Sequence, residues 1–270
     1  MTYEPPSTPT GPSRVAAAPA APPAPAAATF TLAPVAPATP DRTGLMGLTS
    51  DGNRVKVRPW SRANDVLARA TQPLLGLTAV AELVAAAVDL TLRRLVATRD
   101  VEEFVVLRAL VDQFLWPITY VLPGAFVVFL VWLHRLWTSD RSAHNVYTRS
   151  TGIAVGGWFV PVANVVLGAY ALRDLWHGTH NARRGVHDGP VDRSTPRLVT
   201  AWWLVALPAV LCAVVERVLR VGLSAPASVE SLLPTLELYL GVKGVGNALI
   251  AGAAVLLALV VGRITAFTRR

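Results

Sequence analysis

The stretch GIAVGGWFVPVANVVLGAYAL, residues 152–172, decides how the rest of this chain is arranged. It is long and apolar enough to cross about 30 Å of hydrocarbon as a helix. However, four glycines, Pro161 and Asn164 fall within it, and such residues weaken a straight helix. The composition therefore predicts a broken segment that re-enters the membrane or lies along its surface, with a fifth span as the alternative.

The composition of the 270-residue chain is typical of a membrane protein. Hydrophobic residues make up 53% of the chain and charged residues only 16%, with a mean hydropathy of +0.45. This is too apolar for an ordinary soluble domain. Residues 1–53 differ, because they are rich in proline and alanine and have few bulky apolar residues, which predicts a disordered cytoplasmic tail. The remainder, residues 54–270, is predicted to be a helical transmembrane domain.

Four further stretches are long and apolar enough to span a bilayer. They are residues 73–92, 117–136, 198–219 and 244–265. After the first of them, Asp100 and Glu103 have capping-box spacing and apolar residues recur at helical spacing. This predicts an amphipathic helix over about residues 100–115, with an extension of the second span as the alternative. The sequence thus predicts an all-α integral membrane protein with four transmembrane helices plus the broken segment.

Basic residues orient the chain, whose net charge is +8. Arginine and lysine close to membrane spans accumulate on the cytoplasmic side. With five spans, the 23 basic residues from Arg54 to Arg270 divide into 11 inside and 12 outside, whereas a re-entrant segment 152–172 gives 16 inside and 7 outside. The bias favours four spans with both termini in the cytoplasm. The preference for arginine over lysine and the high alanine content indicate a bacterial gene. We therefore expect the protein to lie in the bacterial inner membrane.

Two acidic residues, Glu82 and Asp89, lie seven residues apart on one face of the first span. An acidic side chain in hydrocarbon costs about 2.5 to 3.5 kcal/mol on insertion scales, so this face is expected to turn inward. One interpretation is a proton or cation path. The other is an interhelical ion pair, in which Asp89 meets Arg217 or Arg220 at a similar depth.

Asn164 lies one turn beyond Pro161 in the broken segment. Its side chain would be able to satisfy backbone groups that the proline frees. Irregular backbone at membrane depth normally borders protein or a cavity. Asn164 is therefore also a candidate to line a small-molecule or lipid-headgroup pocket beside Arg135 and Arg173.

Sequence signatures of catalysis are missing. The histidines fall in the two loops predicted to be cytoplasmic, and Asp174, His177 and His180 would spread over about 120° of a helix, which is poor convergence for a metal. There is no nucleophile elbow, phosphate-binding glycine loop or HExxH motif. The single cysteine, Cys212, excludes an internal disulfide and any multi-cysteine metal site. We therefore predict no catalytic, cofactor-binding or metal-binding residue, and a membrane metalloenzyme is the weakest alternative.

Four short elements resemble a known family. They are Trp132 with Arg135; Trp158, Phe159, Pro161 and Asn164 in a W-F-x-P-x-x-N pattern; Asp174, Leu175 and Trp176; and the adjacent Trp202 and Trp203. From about Arg58 to Thr265 the chain thereby resembles the actinobacterial membrane family called domain of unknown function 4328. The resemblance implies a multi-pass membrane protein, and it implies no activity.

These patterns together predict a polytopic membrane protein that is non-enzymatic, binds no cofactor and acts as a structural or partner-binding component. The expected partners are the lipid bilayer, a protein bound through the tail or the cytoplasmic loops, and a second copy of the chain. Nucleic acid is not expected, because the arginines punctuate apolar segments and do not cluster on a polar domain. The main alternative is a small transporter or channel that uses Glu82, Asp89 and Asn164.

Overall fold

The computed structural model describes residues 46–48, 54–114, 120–185, 194–224 and 228–269. The tail predicted over residues 1–53 lies outside this range except for Met46–Leu48, which forms strand β1. β1 pairs antiparallel with β2, Arg54–Lys56, with Gly47 opposite Val55. This small sheet was not predicted, since strands of three residues are too short to show a period of two.

Within the described ranges seven α-helices follow, which confirms the helical prediction. They are α1 (Arg62–Thr98), α2 (Val101–Phe114), α3 (Val121–Trp137), α4 (Thr151–Gly156), α5 (Pro161–Arg184), α6 (Arg197–Leu223) and α7 (Val229–Thr268). Three of them, α1, α6 and α7, are long and apolar enough to cross a membrane, and α3 is a shorter apolar helix. With 37 and 40 residues, α1 and α7 extend about 55 and 60 Å, well beyond the predicted spans.

Helices α1 and α7 run antiparallel and form the centre of the bundle. Near the start of α1, Gln72 lies beside Gly262, and near its end Leu90 lies beside Gly244. Helix α6 packs antiparallel on the other side of α7, where Cys212 lies beside Gly246. We call the end at which α1 begins and α7 terminates the proximal end, and the opposite end the distal end.

The stretch 152–172 is broken, as its composition predicts. Helix α4 continues into a 3₁₀ turn, Gly157–Phe159, and Val160 is then extended, with φ −99° and ψ 111°. Pro161 begins α5, where its fixed φ suits the first helical position and its missing N–H costs nothing. The chain therefore changes direction at Val160.

Both ends of this broken segment lie at the proximal end. In the loop 138–150 that precedes it, the backbone N–H of Ala143 donates to the carbonyl of Gly178 in α5 at 3.0 Å. At the tip of the segment, the ring of Phe159 contacts that of Phe126 at 6.1 Å, about three turns before the end of α3. Helices α4 and α5 thus form a hairpin that enters the bundle from the proximal end and returns to it.

Helix α2 lies at the distal end and begins at the predicted cap. Oδ1 of Asp100 accepts a hydrogen bond from the backbone N–H of Glu103 at 3.1 Å. Phe104 and Leu107 pack on a small core that includes Leu92 of α1 and Leu240 of α7. The opposite face of α2 is exposed and also carries apolar side chains, including Val105, Val106 and Leu110.

A belt of exposed large apolar side chains surrounds the long helices. Its members on α1, α3, α6 and α7 are Leu77, Val80, Leu83, Val127, Val131, Leu204, Leu211, Val214, Val218, Val255 and Leu259. A soluble monomer rarely exposes so much contiguous apolar surface, whereas helices in contact with lipid do. The belt is therefore typical of a membrane protein.

The residues ahead of α1 are held to the loop 138–150. The backbone N–H of Arg58 donates to the carbonyl of Thr138 at 2.8 Å, and the N–H of Asp140 donates to the carbonyl of Arg58 at 2.9 Å. In addition, the backbone N–H of Trp60 donates to Oδ1 of Asp140 at 2.9 Å. These three bonds attach the entry to α1 to the loop that follows α3.

Candidate functional site

The charged group buried between α1 and α7 is centred on Asp89, which is only 3% exposed. Its Oδ1 accepts from Nζ of Lys243 at 2.9 Å, and its Oδ2 accepts from Nδ2 of Asn247 at 2.8 Å. A Cβ at Gly244 would stand 2.9 Å from Cγ of Leu90, so glycine permits the close approach of the two helices at this level. The arrangement satisfies both oxygens of a buried carboxylate, as burial of a charge requires.

The predicted partners of Asp89 lie elsewhere. Arg220 is paired with Glu216 one turn earlier in α6, at 2.6 Å, and its Nη2 also donates to the hydroxyl of Tyr239 at 3.3 Å. The interhelical ion pair predicted for Asp89 does form, but with Lys243 instead of Arg217 or Arg220. The reason is that α7 begins at Val229, well before the span predicted to begin at residue 244. Lys243 therefore lies inside a helix and not in a loop between two spans.

Glu82 lies on the same side of α1 as Asp89, two turns nearer the proximal end. It is half-buried and within electrostatic range of both Lys243 and Asp89. In the part of the chain that the structure describes, its carboxylate makes no hydrogen bond or ion pair. Glu82 is therefore an acid beside a fully formed ion pair and is not itself a member of that pair.

Asn164 of α5 lines an apolar cavity of about 210 Å³ in the middle of the bundle. Thr78 of α1, Phe126 of α3 and Trp202 of α6 are among the side chains that line the same cavity. The backbone N–H of Asn164 donates to the carbonyl of Val160 at 2.7 Å, which is the first hydrogen bond of α5. The predicted neighbours Arg135 and Arg173 are not among the described residues that line this cavity.

Three of the six family-like aromatic residues, Trp132, Trp158 and Trp202, meet in one cluster beside this cavity. The ring of Trp158 lies 4.9 Å from that of Phe129 in an edge-to-face arrangement and 5.7 Å from that of Trp202. Trp132 joins through Phe129, at 5.8 Å. The indole N–H groups of Trp132 and Trp158 are buried and have no acceptor among the described residues. The W-F-x-P-x-x-N element therefore places Trp158 as a packing residue between α3 and α6.

The other family-like residues lie around this cluster or at the proximal end. Phe159 and Arg135 are exposed, Leu175 is buried in the core, and the ring of Trp176 contacts that of Phe267 at 5.4 Å. Trp203 lies on α6 and lines a second cavity, toward the proximal end.

Asp174 is held by a set of bonds at the proximal end and is 2% exposed. Its Oδ2 accepts from the backbone N–H and from the hydroxyl of Thr148, at 2.9 and 2.6 Å. Its Oδ1 accepts from Nε and Nη2 of Arg173 at 3.2 and 2.9 Å. The carboxylate thus fastens the loop 138–150 to α5.

The guanidinium groups of Arg149 and Arg173 both lie against the ring of Tyr170. The carbon at the centre of each guanidinium group is 4.4 Å and 4.9 Å, respectively, from the ring centroid. Such distances allow a cation–π interaction on each side. Two positive charges thereby lie close together on one exposed aromatic ring.

His144, His177 and His180 each make a separate structural contact. Nε2 of His144 donates to the carbonyl of Trp137 at 3.1 Å, and Nε2 of His177 donates to the carbonyl of Ser194 at 2.7 Å. The ring of His180 contacts that of Phe267. Burial lowers the pKa of His144 from its ordinary value of 6.5, and it lowers the pKa of His180 together with the charges of Arg184 and Arg183. Three or more His, Cys, Asp or Glu side chains do not converge anywhere among the described residues, while His187 lies outside them.

Sequence reasoning missed four polar residues of these sites: Lys243, Asn247, Thr148 and Tyr170. For the first two a signal was present, because a lysine and an asparagine four residues apart lie on one helix face at the border of an apolar segment. Nothing in the local pattern indicated that Thr148 would meet Asp174, since the two are 26 residues apart.

Comparison with known proteins identifies the family of the chain. The family model described as Domain of unknown function (DUF4328) matches residues 99–266. The match begins well after Arg58, so α1, with Glu82 and Asp89, lies ahead of it. No curated protein and no solved structure matches the chain.

Proposed function

The chain belongs to the domain of unknown function 4328 family, and from its geometry we propose that it is a non-enzymatic, multi-pass protein of the bacterial inner membrane that acts as a structural or partner-binding component. In this proposal α1, α3, α6 and α7 span the bilayer and the α4–α5 hairpin re-enters it from the proximal end. The lengths of the three longest helices and the exposed apolar belt support this placement. The 17 residues of α3 extend about 25 Å, which is most of the hydrocarbon thickness.

The distribution of charge supports a cytoplasmic proximal end. With the hairpin returning to the side from which it enters, 14 of the 21 described basic residues from Arg54 onward lie toward the proximal end and six lie toward the distal end, while Lys243 is paired with Asp89 inside the bundle. Such an excess is typical of the cytoplasmic face of an inner-membrane protein. Both the N-terminus and the C-terminus then lie in the cytoplasm.

The partner-binding part of the proposal rests on the charges at the proximal end. Nine arginines are exposed there: Arg58, Arg62, Arg69, Arg135, Arg183, Arg184, Arg197, Arg263 and Arg269. The described acids at this end are Asp65, Asp140 and Asp174, and each accepts hydrogen bonds from Trp60, Thr148 or Arg173. None of the nine arginines forms an ion pair with a described acid. The proximal surface is therefore suited to an acidic protein segment.

The structural part of the proposal rests on Asp89. A carboxylate that conducts protons or binds a transported cation needs an oxygen accessible to its cargo. Both oxygens of Asp89 are occupied by Lys243 and Asn247, and the group is almost completely buried. This favours a structural role for Asp89, in which it joins α1 to α7, over a role in a transport path.

The second candidate function is ion or proton transport, and one observation favours it. Glu82 is half-buried at mid-span and has no hydrogen-bond partner among the described residues, although Lys243 and Asp89 are within electrostatic range. An ionisable group of this kind within a membrane is a functional candidate by default.

The two functions can be distinguished by reconstituting the variants Glu82→Gln and Asp89→Asn in proteoliposomes and measuring ion flux. For a structural protein, we expect Glu82→Gln to leave the thermal stability unchanged and neither variant to alter the permeability of vesicles to protons, Na⁺ or K⁺. A flux carried by the unaltered protein and abolished by Glu82→Gln, in a variant that still unfolds at the normal temperature, would establish transport instead.

Partner binding is tested by a photoreactive amino acid placed at Arg183, with a second placed at Ser224 at the distal end as the control. We expect cross-linking in intact cells at Arg183, and its loss when Arg184 and Arg197 are both changed to glutamate. Equal cross-linking at the two positions, or no effect of the charge reversal, would contradict an acidic partner at the proximal end.

A further inference from the structure

A cavity of about 270 Å³ lies between the first half of α5 and the start of α6. Its lining is mainly apolar and aromatic, with two threonine hydroxyl groups. The lining residues are Val166, Ala169, Tyr170, Thr195, Thr200 and Trp203. The cavity is separate from the one that Asn164 lines.

Positive charge flanks this cavity at Tyr170. As described above, the guanidinium groups of Arg149 and Arg173 lie 4.4 and 4.9 Å from the centre of the Tyr170 ring. The ring itself lines the cavity and is 38% exposed. The ring of Tyr170 therefore lines the apolar cavity and also contacts two cations.

The two cations are not equally neutralised. Arg173 is held by Asp174, whose four described hydrogen bonds come from Arg173 and Thr148. Arg149 donates from Nη1 to the hydroxyl of Thr148 at 3.0 Å and makes no ion pair with an acid among the described residues. Of the three charges in this group, one positive charge is left over, and it belongs to Arg149.

The depth of the cavity fits the border between hydrocarbon and headgroups. It is lined by Tyr170 and Trp203, and aromatic rings of these types are enriched at that border. Trp203 follows the start of α6 at Arg197 by about two turns. An apolar cavity between membrane helices with cations beside its aromatic wall is suited to an anionic lipid, whose headgroup carries the negative charge.

We propose that this cavity binds one anionic phospholipid. Its phosphodiester accepts charge-assisted hydrogen bonds from Arg149, part of an acyl chain occupies the apolar space beside Val166 and Ala169, and the hydroxyl groups of Thr195 and Thr200 lie near the glycerol. The inference rests on the membrane placement in the proposed function but not on which end is cytoplasmic. Failure of the lipid test therefore leaves the partner and sidedness experiments unaffected.

The test is native mass spectrometry of the full chain in an uncharged detergent, with phosphatidylglycerol or phosphatidylcholine added. We expect one phosphatidylglycerol to bind about fivefold to tenfold more tightly than phosphatidylcholine, since a single cation near a lipid surface contributes about 1 kcal/mol and a hydrogen bond adds to it. Arg149→Gln should remove this preference, and Arg149→Lys should retain part of it. The matched control is Arg69→Gln, which removes an exposed arginine at the same end and should leave the preference unchanged.

Three results would overturn the proposal. They are equal binding of the two lipids by the unaltered protein, an equal effect of Arg149→Gln and Arg69→Gln, and displacement of phosphatidylglycerol by inorganic phosphate, which would assign the site to a free anion. The first and third of these use the unaltered protein, so they remain decisive if Arg149→Gln proves unstable.

Discussion

Nζ of Lys243 lies 2.9 Å from Oδ1 of Asp89 and joins the last helix of the chain to the first. The side chain of Asp89 is 4% exposed and that of Lys243 is 27% exposed, so the pair is largely withdrawn from solvent. In contrast, the Arg93–Glu237 pair farther toward the distal end joins the same two helices at 3.3 Å with both side chains more than a third exposed. The two pairs differ mainly in burial, which makes them a natural comparison.

Lys243→Met should destabilise the protein strongly, because it leaves the Asp89 carboxylate buried without its counter-charge. Loss of one partner of a buried pair typically costs about 3 to 5 kcal/mol. Arg93→Met should cost no more than about 1 kcal/mol, since exposed pairs contribute little. Thermal unfolding in detergent measures both. The double variant Asp89→Leu, Lys243→Leu should recover most of the loss, and equal effects of the two single variants would contradict a structural role for Asp89.

Gly178→Ala should loosen the attachment of the loop 138–150 to α5. A Cβ at this position would stand 2.7 Å from Cε1 of Tyr147, whose ring is fully buried and stacked 4.1 Å from that of Trp137. Because the ring has no space into which to move, we expect a loss of about 1 to 3 kcal/mol in unfolding free energy.

The control for Gly178 is Gly156→Ala in α4, where a Cβ would meet nothing within 4 Å. This change should be neutral or stabilise the helix by up to about 1 kcal/mol. Proteolysis of the loop 138–150 provides a second measurement, and it should accelerate only in Gly178→Ala. A Gly178 variant as stable as the Gly156 variant would show that the loop is not held at this point.

Stability should fall in mildly acidic solution through His144. Burial lowers the pKa of this ring below its ordinary value of 6.5, whereas the hydrogen bond to the carbonyl of Trp137 and the nearby Asp140 raise it more weakly. The unfolded chain therefore binds a proton at a higher pH than the folded protein does, and the free energy of unfolding decreases as the pH drops below 6.5 toward the folded pKa. His180 has a lowered pKa as well and should act in the same direction.

The measurement is the unfolding temperature between about pH 7.5 and pH 5.5, a range in which histidine is the side chain that ordinarily titrates. His144→Gln keeps a donor for the carbonyl of Trp137 and should reduce the dependence on pH. If His144→Gln and the unaltered protein show the same dependence, His144 is not the responsible group.

The loop before α6 should be inaccessible to a thiol reagent added outside intact cells. A cysteine at Ser194, in a Cys212→Ser background, should react with an impermeant thiol reagent only after the cells are opened, because the proposal places this exposed residue in the cytoplasm. A cysteine at Ser224, exposed at the distal end, should react in intact cells. Reaction at Ser194 in intact cells, together with protection of Ser224, would indicate five spans and an external C-terminus.

Local features of this fold were predictable from the sequence. Pro161 and its neighbouring glycines indicated the break, and the chain changes direction at Val160, one residue before that proline. Asp100 indicated the start of α2, and it caps that helix. Both predictions depend on interactions within a few residues, which a sequence displays directly.

Features that depend on distant residues were not predictable. The hydropathy pattern marks only the most apolar part of a helix, so it missed the extensions of α1 and α7 beyond the predicted spans, which carry the Arg93–Glu237 pair. It also left Lys243 just outside the span predicted to begin at residue 244. Its pairing with Asp89 could not be seen in the local pattern, because the two residues are 154 positions apart in the chain. The uncompensated charge of Arg149 likewise depends on Thr148 and Arg173 both being held by Asp174.

The bonds from Arg58 to the loop 138–150 give the start of the chain a mechanical connection to the α4–α5 hairpin. Tension applied ahead of Arg58 is borne first by the backbone bonds to Thr138 and Asp140. It passes along the loop to Thr148 and from there to Asp174 in α5. A force on the chain just ahead of Arg58 thus loads the hairpin as well as α1.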